Sequence, residues 1–253
     1  MRGPERKVRV VAVVPAAGLG KRFGSGTNKP LLSLGGKPLV IRPLEVLQSV
    51  AEIVEIIPVL KVQDMERGRQ IFEEYGLSKI KRIAAGGKER QDSVYHGLKL
   101  ARQADIVLIH DGVRPLIEKE LIERAIEALI VRSAPSSKDE GEGKLSGCDG
   151  VVLGVPVKDT IKEAEDGIIK RTLKRSVLWA VQTPQLFLYR NLLSVYEKAM
   201  QEGFYSTDDS ALVEHYGGKI GVVMGSYRNL KITTPEDLDI AEFFLSHKPE
   251  KCI

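Results

Sequence analysis

The stretch VVAVVPAAGLGKRF, residues 10–23, places an apolar strand directly before a loop of small and positively charged residues. Val10 to Val14 form a continuous apolar run that ends at Pro15, which is typical of a strand buried on both faces of a parallel sheet. Small residues let the backbone approach a ligand and turn its N–H groups into an anion-binding concavity. The loop residues in question are Pro15, Ala16, Ala17, Gly18 and Gly20, with Lys21, Arg22 and the later Lys29 as cations. Open α/β sheets bind ligands beyond the carboxyl ends of their strands, so the stretch predicts a phosphate site there.

Three kinds of phosphate loop compete for this stretch. A dinucleotide-binding turn requires a third glycine, and Phe23 stands in its place. The G-x-x-x-x-G-K-[ST] pattern of a P-loop is absent. A loop that binds a nucleoside triphosphate and supplies its own cations fits the composition. A solvent-facing glycine loop with incidental lysines remains an alternative.

The rest of the chain alternates strand-like and helix-like segments, which predicts an α/β fold, a Rossmann-like and mostly parallel sheet covered by helices on both faces. Further strands are predicted at Val54–Leu60, Lys79–Ala84, Ile106–Ile109, Val151–Val155 and Ile220–Met224. Helices are predicted at Pro38–Val50, Asp64–Tyr75, Asp92–Ala101, Glu118–Val131, Leu186–Glu202, Asp208–Tyr216 and from Thr234 onward. We expect a single domain over residues 1–253.

A hairpin is expected to interrupt this rhythm. Two segments rich in β-branched residues, Asp159–Glu163 and Ile168–Leu173, flank AEDG, with Asp166-Gly167 at the turn. An isolated hairpin cannot bury both of its faces, so we expect it to lie on something else, such as a second subunit. The arm for this contact spans about residues 156–182. The preceding Ser133–Gly147 is polar and glycine-rich and predicts a surface loop.

The overall composition favours a protein that handles small anions. The chain has 253 residues, and 38 Lys and Arg against 34 Asp and Glu give a net charge of +4, too dispersed for nucleic acid. Apolar runs are all shorter than the roughly 18 residues of a membrane span. Its two cysteines, Cys148 and Cys252, provide neither a disulfide framework nor a metal cluster. The charged N-terminal sequence is unlike a secretory signal, so a cytoplasmic location is expected.

Further motifs give the chain a recognisable pattern. GGKERQDSV (86–94), HDGVRP (110–115), VPVKDTIK (155–162), RSVLWAVQTPQ (175–185) and NLKITTPEDL (229–238) follow the glycine-rich loop in order. Together they resemble the 2-C-methyl-D-erythritol 4-phosphate cytidylyltransferases of non-mevalonate isoprenoid biosynthesis. The resemblance implies transfer of CMP from CTP to methylerythritol phosphate, giving 4-diphosphocytidyl-2-C-methyl-D-erythritol and pyrophosphate. Ribitol-5-phosphate cytidylyltransferase and a non-catalytic nucleotide-binding domain remain alternatives.

The resemblance also implies roles for individual residues. Arg22 and Lys29 match the groups that stabilise the transition state on the CTP phosphates. Arg175 and Lys231 match those that position the substrate phosphate. The sugar-phosphate contacts are expected at Arg114, Thr160, Thr183 and Lys231, and nucleotide contacts at Pro15, Ala16, Ala17, Gly18, Gly20, Gly86, Gly87, Ser93, Asp111 and Gly112. In the family the arm completes the partner's active site, so a homodimer is implied.

Two of these positions carry an alternative. Asp111 ends a buried strand beside a triphosphate, which predicts that it binds Mg²⁺; a helix N-cap or turn aspartate is the alternative. Ser93 is expected to contact the base together with Gly86 and Gly87, or else to cap a helix. His110 has no His or Cys partner nearby and is expected to be structural.

Overall fold

The computed structural model describes residues 7–17, 32–133 and 147–247. Gly18, Gly20, Arg22, Lys29 and nearly all of the predicted Ser133–Gly147 loop lie outside these residues. The strands are β1 (Val10–Pro15), β2 (Ser33–Leu34), β3 (Lys37–Pro38), β4 (Ile53–Leu60), β5 (Ala84–Ala85), β6 (Ile106–Ile109), β7 (Gly150–Pro156), β8 (Lys162–Glu165), β9 (Ile168–Thr172), β10 (Trp179–Leu188) and β11 (Ile220–Met224). The helices are α1 (Ile41–Ser49), α2 (Met65–Glu74), α3 (Arg90–Leu100), α4 (Lys119–Ser133), α5 (Tyr189–Glu202), α6 (Asp209–His215) and α7 (Pro235–Ser246).

Seven strands form one sheet in the order β11-β7-β10-β6-β1-β4-β5. All are parallel except β10, which runs antiparallel to both β6 and β7. From β1 the chain builds outward to β4 and β5, then returns to add β6 on the other side of β1. This reversal creates a crevice at the carboxyl ends of β1 and β6, where open α/β sheets bind ligands.

The continuous apolar run of β1 is explained by burial on both faces of the sheet. Val10, Ala12 and Val14 pack in the core beneath α1, α2 and α4, while Val11 and Val13 pack in a second core beneath α3, α5 and α6. All five side chains are at most 1% exposed. The predicted α/β architecture with helices on both faces is confirmed.

Two element predictions were wrong. Residues Leu186–Leu188 belong to β10, and helix α5 begins only at Tyr189. The predicted strand Lys79–Ala84 pairs with β4 only through an isolated bridge at Ile80 and the two residues of β5, so most of it is irregular.

The predicted hairpin is present as β8 and β9, but its first strand was predicted too early: β8 spans Lys162–Glu165 instead of Asp159–Glu163. Asp166 and Gly167 both have positive φ, 50° and 78°, as a two-residue type I′ turn requires. Every residue of the two strands is exposed, including Ile168 and Ile169. No helix among the described residues is long and apolar enough to span a membrane.

Candidate active site

Three chain segments converge on the crevice at the carboxyl ends of the parallel strands. Ala16 N–H donates to the Val59 carbonyl at 2.9 Å, and Gly86 N–H donates to the Leu60 carbonyl at 2.7 Å. Gly112 N–H donates to the Pro15 carbonyl at 3.2 Å. These bonds join the start of the glycine-rich loop to the segments after β5 and β6. The structure therefore brings the described part of all three motifs to one place.

Gly86 and Gly112 are required because the segments approach one another closely. A Cβ on Gly86 would lie 2.5 Å from the Ala17 Cβ, and a Cβ on Gly112 would lie 3.2 Å from the Ala16 Cβ. The first distance is shorter than any ordinary carbon contact, which is about 3.5–4.0 Å. Ala16 and Ala17, at the start of the glycine-rich loop, thus pack directly against these two glycines.

Ser93 supports the second segment instead of capping a helix. Its Oγ accepts a hydrogen bond from Gly87 N–H at 3.0 Å and donates to the Glu89 carbonyl at 3.1 Å. The N-cap of α3 is Glu89, whose N–H donates to the Asp92 carboxylate at 2.9 Å. The alternative that Asp92-Ser93 caps the helix is therefore wrong for Ser93, whereas Asp92 does take part in the cap, as the N3 residue of a capping box. The Ser93 hydroxyl proton is used, which leaves its oxygen an acceptor lone pair for a base, and the base contact stays a prediction.

Asp111 is a buried carboxylate held by two cations. Its Oδ1 lies 3.2 Å from Arg90 Nε, and its Oδ2 lies 2.8 Å from Lys231 Nζ. Burial opposes ionisation, but Arg90 and Lys231 outweigh it, so the pKa of Asp111 lies far below its ordinary value. The carboxylate is therefore charged at any physiological pH. It is not the N-cap of any helix in the described chain, but it does begin a turn, as the alternative expects, because Arg114 N–H donates to the Asp111 carbonyl at 3.0 Å.

The segment that carries Lys231 is tied to the segment after β6. Ile232 N–H donates to the Val113 carbonyl at 2.9 Å, which places the neighbouring Lys231 beside Asp111. The Lys231 side chain is 41% exposed, so it is also open to solvent. A lysine in this position can move from the carboxylate to an incoming phosphate.

His110 and Thr183 fix the backbone at Asp111. The imidazole Nε2 lies 3.1 Å from the Arg114 carbonyl, which can only accept, so this nitrogen carries the proton. Nδ1 then accepts from the Thr183 hydroxyl at 3.2 Å, and the Thr183 oxygen accepts from Asp111 N–H at 3.0 Å. Burial lowers the pKa of His110 to about 4, so the ring is neutral near pH 7. These contacts support the structural role expected for His110.

Arg114 is the third cation near Asp111. Its Nη1 donates to the Asn229 carbonyl at 2.7 Å, and Asn229 Nδ2 donates to the Thr183 carbonyl at 2.8 Å. Its Nε is buried and has no hydrogen-bond partner in the described chain, and the same holds for Asn229 Oδ1. An unsatisfied buried donor is costly, so a ligand oxygen at Arg114 would be stabilised.

Thr160 and Arg175 lie apart from this cluster in the single chain. Both are exposed, and Arg175 Nη1 donates to the Lys158 carbonyl at 2.8 Å. Within the described residues, neither side chain has a hydrogen bond or ion pair with Asp111, Arg114 or Lys231. The expectation that they contact the substrate therefore stays a prediction.

Sequence reasoning missed two charged residues of the site, Arg90 and Asp209. Arg90 Nη2 lies 2.8 Å from Asp209 Oδ2, in addition to the contact with Asp111. Arg90 was visible as part of GGKERQDSV, but nothing in the sequence linked it to an aspartate 119 residues away.

The residues around Asp111 fit a magnesium ion only if substrate phosphates and water supply most of its ligands. The described residues contain no group of three or more His, Cys, Asp or Glu side chains that could hold a metal. Mg²⁺ commonly binds through one or two carboxylates and takes its remaining ligands from substrate phosphates and water. A single ionised carboxylate with unused lone pairs, at the edge of a cationic crevice, suits that manner of binding.

Comparison with known proteins gives a consistent picture. Residues 10–247 match the model of the family described as IspD, 2-C-methyl-D-erythritol 4-phosphate cytidylyltransferase. The enzyme of that name from Geobacter metallireducens is 42% identical over 244 residues, covering 94% of this chain and 98% of its own. The one from Clostridioides difficile is 42% identical over 236 residues, covering 92% of each chain.

Solved structures agree with the sequence relatives. The 4-diphosphocytidyl-2C-methyl-D-erythritol synthase of Anaerococcus prevotii superposes with a TM-score of 0.79 at 33% identity, covering 95% of this chain and 97% of its own. The 2-C-methyl-D-erythritol 4-phosphate cytidylyltransferase of Thermus thermophilus gives 0.72 at 27% identity, covering 93% and 98%. The chain therefore belongs to the 2-C-methyl-D-erythritol 4-phosphate cytidylyltransferase family.

Proposed function

We propose that this protein transfers CMP from CTP to 2-C-methyl-D-erythritol 4-phosphate. A phosphate oxygen of the acceptor forms a bond to the α-phosphorus of CTP, the bond from that phosphorus to the β-phosphate bridging oxygen breaks, and pyrophosphate leaves. The observation that carries the proposal is the cationic crevice at the switch point of the sheet. There Arg90, Arg114 and Lys231 surround Asp111 at the ends of the strands that the family's motifs follow.

The main task of such a site is to bring two polyanions together. Two unit charges 4 Å apart repel by about 4 kcal/mol at the dielectric of a protein surface. Phosphoryl transfer needs little covalent help from a protein, so charge neutralisation and positioning provide most of the catalysis. Arg114 and Lys231 are proposed to contact the acceptor phosphate. Arg22 and Lys29, which lie outside the described residues, are proposed to act on the triphosphate.

The base of CTP is proposed to lie against Gly86, Gly87 and Ser93. The two glycines leave the backbone of this segment without side chains, so its polar groups can contact the edge of a small pyrimidine ring, and Ser93 adds a hydroxyl. Cytosine over uracil would be selected by backbone groups rather than by a charged side chain.

Magnesium is proposed to be held by Asp111 together with the phosphates of CTP. When bound, the ion would neutralise triphosphate charge and polarise the α-phosphorus. The protein's own contribution is to keep the Asp111 carboxylate ionised and fixed, through Arg90, Lys231 and the hydrogen bond from its N–H to Thr183.

The arm at residues 156–182 is proposed to pair with a second copy of the chain. The hairpin exposes Ile168 and Ile169 at 67% and 58%, and Val177 beyond it is 64% exposed. Water contact of this apolar surface is unfavourable, and a homodimer would remove it. Such pairing would also carry Thr160 and Arg175 to the partner's crevice. We treat residues 1–253 as one nucleotidyltransferase domain to which this arm belongs.

Pyrophosphate release tests the activity directly. Purified protein is supplied with CTP, ATP, GTP or UTP, with either methylerythritol phosphate or ribitol 5-phosphate, in the presence of Mg²⁺. We expect release with CTP and methylerythritol phosphate at the highest kcat/KM. Faster turnover of ribitol phosphate would support the alternative acceptor, and no release with any pair would support a non-catalytic nucleotide-binding domain. The cytoplasmic location stays a prediction that cell fractionation would test.

A further inference from the structure

Arg90 is a charged link between the candidate active site and the buried interior. It is the first residue of α3, and its guanidinium contacts two aspartates with different nitrogens: Nε with Asp111 Oδ1 at 3.2 Å and Nη2 with Asp209 Oδ2 at 2.8 Å. Both aspartates are buried, with side chains 8% and 0% exposed. A guanidinium is planar and offers its donors in a fixed fork, so one contact orients the other.

The interior end of this link is fixed. Asp209 begins α6, and its second oxygen, Oδ1, accepts a hydrogen bond from the hydroxyl of Tyr196 on α5. Tyr196 is itself 1% exposed and packed in the core beneath the sheet. Helices α5 and α6 therefore fix the Asp209 carboxylate, and this carboxylate in turn holds Arg90 at the start of α3. The guanidinium presents its Nε to Asp111 from a rigid base.

The other cation on Asp111 is held quite differently. Lys231 contacts Oδ2 with a single ammonium on a flexible stem, and its side chain is more exposed than that of Arg90, at 41% against 30%. Under the proposed function, Lys231 contacts the acceptor phosphate, so its bond to Asp111 is shared or broken when substrate binds. Asp111 then needs another group to keep its carboxylate in place.

We propose that Arg90 is that group, a positioning residue that holds the Asp111 carboxylate while Lys231 engages the substrate. This proposal rests on the proposed function, since it assigns Lys231 and Asp111 their roles. It differs from a direct phosphate contact, in which Arg90 would bind CTP itself. It also differs from a plain cross-link between α3 and α6, in which Arg90 would stabilise the fold and have no effect on turnover.

Four variants separate these roles: Arg90→Gln, Arg90→Lys, Asp209→Asn and the double variant Arg90→Gln/Asp209→Asn. Arg90→Gln leaves Asp209 as an unpaired buried carboxylate, which threatens folding. The double variant avoids this problem, because two amides can hydrogen-bond to each other in place of the ion pair. Asp209→Asn is the matched control, since it keeps the guanidinium on Asp111 and accepts its hydrogen bond with a neutral oxygen.

The measurements are kcat and KM from pyrophosphate release with Mg²⁺, the Kd of CTP by calorimetry in EDTA, and Tm. We expect Arg90→Gln, if folded, and the double variant to lose at least about tenfold in kcat, because misplacing a reacting group by about 1 Å costs up to about 10²-fold. The Kd of CTP without metal should stay within about threefold of wild type, since a positioning residue does not touch the nucleotide. Arg90→Lys should regain part of kcat. Asp209→Asn keeps the guanidinium on Asp111, so it should lose clearly less kcat than Arg90→Gln or the double variant.

Several results would overturn the proposal. A Kd for CTP that weakens in parallel with kcat would make Arg90 a phosphate contact. Wild-type kcat in the double variant, or an equal loss in Asp209→Asn, would make the link merely structural. If wild-type protein released no pyrophosphate, the proposed function would fail separately. Crystal structures of wild type and the double variant would then decide on Arg90 alone, and an Asp111 carboxylate in the same position in both would refute its positioning role.

Discussion

The substitution Gly86→Ala tests whether Ala17, at the start of the glycine-rich loop, packs against Gly86 as closely as the structure indicates. In Gly86→Ala the new Cβ would lie 2.5 Å from the Ala17 Cβ and 3.3 Å from the Leu60 carbonyl oxygen. Ordinary carbon contacts are about 3.5–4.0 Å, so the backbones must separate by about 1 Å. Neither atom can rotate away, because the Ala17 Cβ is bonded directly to the chain and the Leu60 carbonyl accepts Gly86 N–H.

The free-energy cost of this close contact is divided between folding stability and catalysis. Overpacking of this kind costs about 1–3 kcal/mol when the structure cannot relax. Ala17 leads straight into the glycine-rich loop, so we expect the loop to move and most of the cost to appear in catalysis. A displacement of about 1 Å at a positioning element costs on the order of 10²-fold in kcat/KM. Tm should fall by less than about 4 °C, which corresponds to about 1 kcal/mol in a chain of this size.

The assay compares kcat/KM for CTP, the Kd of CTP and Tm in wild type, Gly86→Ala and Gly154→Ala. Gly154 lies in β7, where an added Cβ would find its nearest neighbours at 3.4–3.6 Å, so the same substitution should be tolerated there. If Gly86→Ala kept its kcat/KM, its CTP affinity and its Tm, as Gly154→Ala should, the close contact with Ala17 would have no functional meaning and the reasoning would be refuted.

Four further outcomes are expected. Lys29→Ala should fold normally and lose at least about 10²-fold in kcat, as for the loss of one preorganised electrostatic donor; an unchanged rate would remove Lys29 from the mechanism. Arg175→Ala should raise KM for methylerythritol phosphate and leave the Kd of CTP unaltered, and equal losses for both would contradict its assignment. Heterodimers of inactive Lys29→Ala and Arg175→Ala chains should regain partial activity, since one crevice would be intact; no recovery would contradict sharing between subunits. Asp237→Ala should lower Tm by about 2–4 °C, for a cap worth about 1 kcal/mol. Burial raises the pKa of Asp237, but hydrogen bonds from the Thr233 hydroxyl and from the Thr233 and Thr234 N–H groups outweigh it, so this pKa is lowered. The carboxylate therefore stabilises the fold above its unfolded pKa, and the Tm difference from Asp237→Ala should vanish as pH falls below about 4.

The parallel strands could be predicted because their sequences show that they are buried on both faces. A strand covered on both faces needs apolar side chains at every position, and the runs ending at Pro15 and Ile109 satisfy this requirement. The glycine-rich loop and Asp111 could be placed for the same reason, since each directly follows such a run.

Strand β10 could not be predicted from its own residues. It contains Pro184, and proline is rarely found in a central strand because it cannot donate to the ladder. The structure accommodates it at a register break, where Gln182 and Gln185 pair with consecutive residues of β7. The position of that break depends on two partner strands, so no local sequence pattern predicts it. The apolar pattern from Leu186 onward wrongly predicts a helix at the end of this strand.

The charged network of the site escaped prediction for a similar reason. Arg90 and Asp209 each begin a helix, where a charged residue is ordinary, and their pairing depends on how α3 and α6 pack. Sequence reasoning identified the groups that follow strands, while the groups that support them from the helices required coordinates.

Strand β10, the one antiparallel strand of the seven-stranded sheet, connects the arm to the candidate active site. Trp179 at its beginning pairs with Pro156 at the root of the arm, and Gln185 pairs with Ile109, two residues before Asp111. An extended chain rises about 3.3 Å per residue and is close to its full length, so a displacement at the root of the arm is passed along β10. Thr183 lies at the register break of this strand, and its hydroxyl oxygen accepts the hydrogen bond from Asp111 N–H. A partner that fixed the arm would therefore also constrain the backbone position of Asp111, through β10 and Thr183.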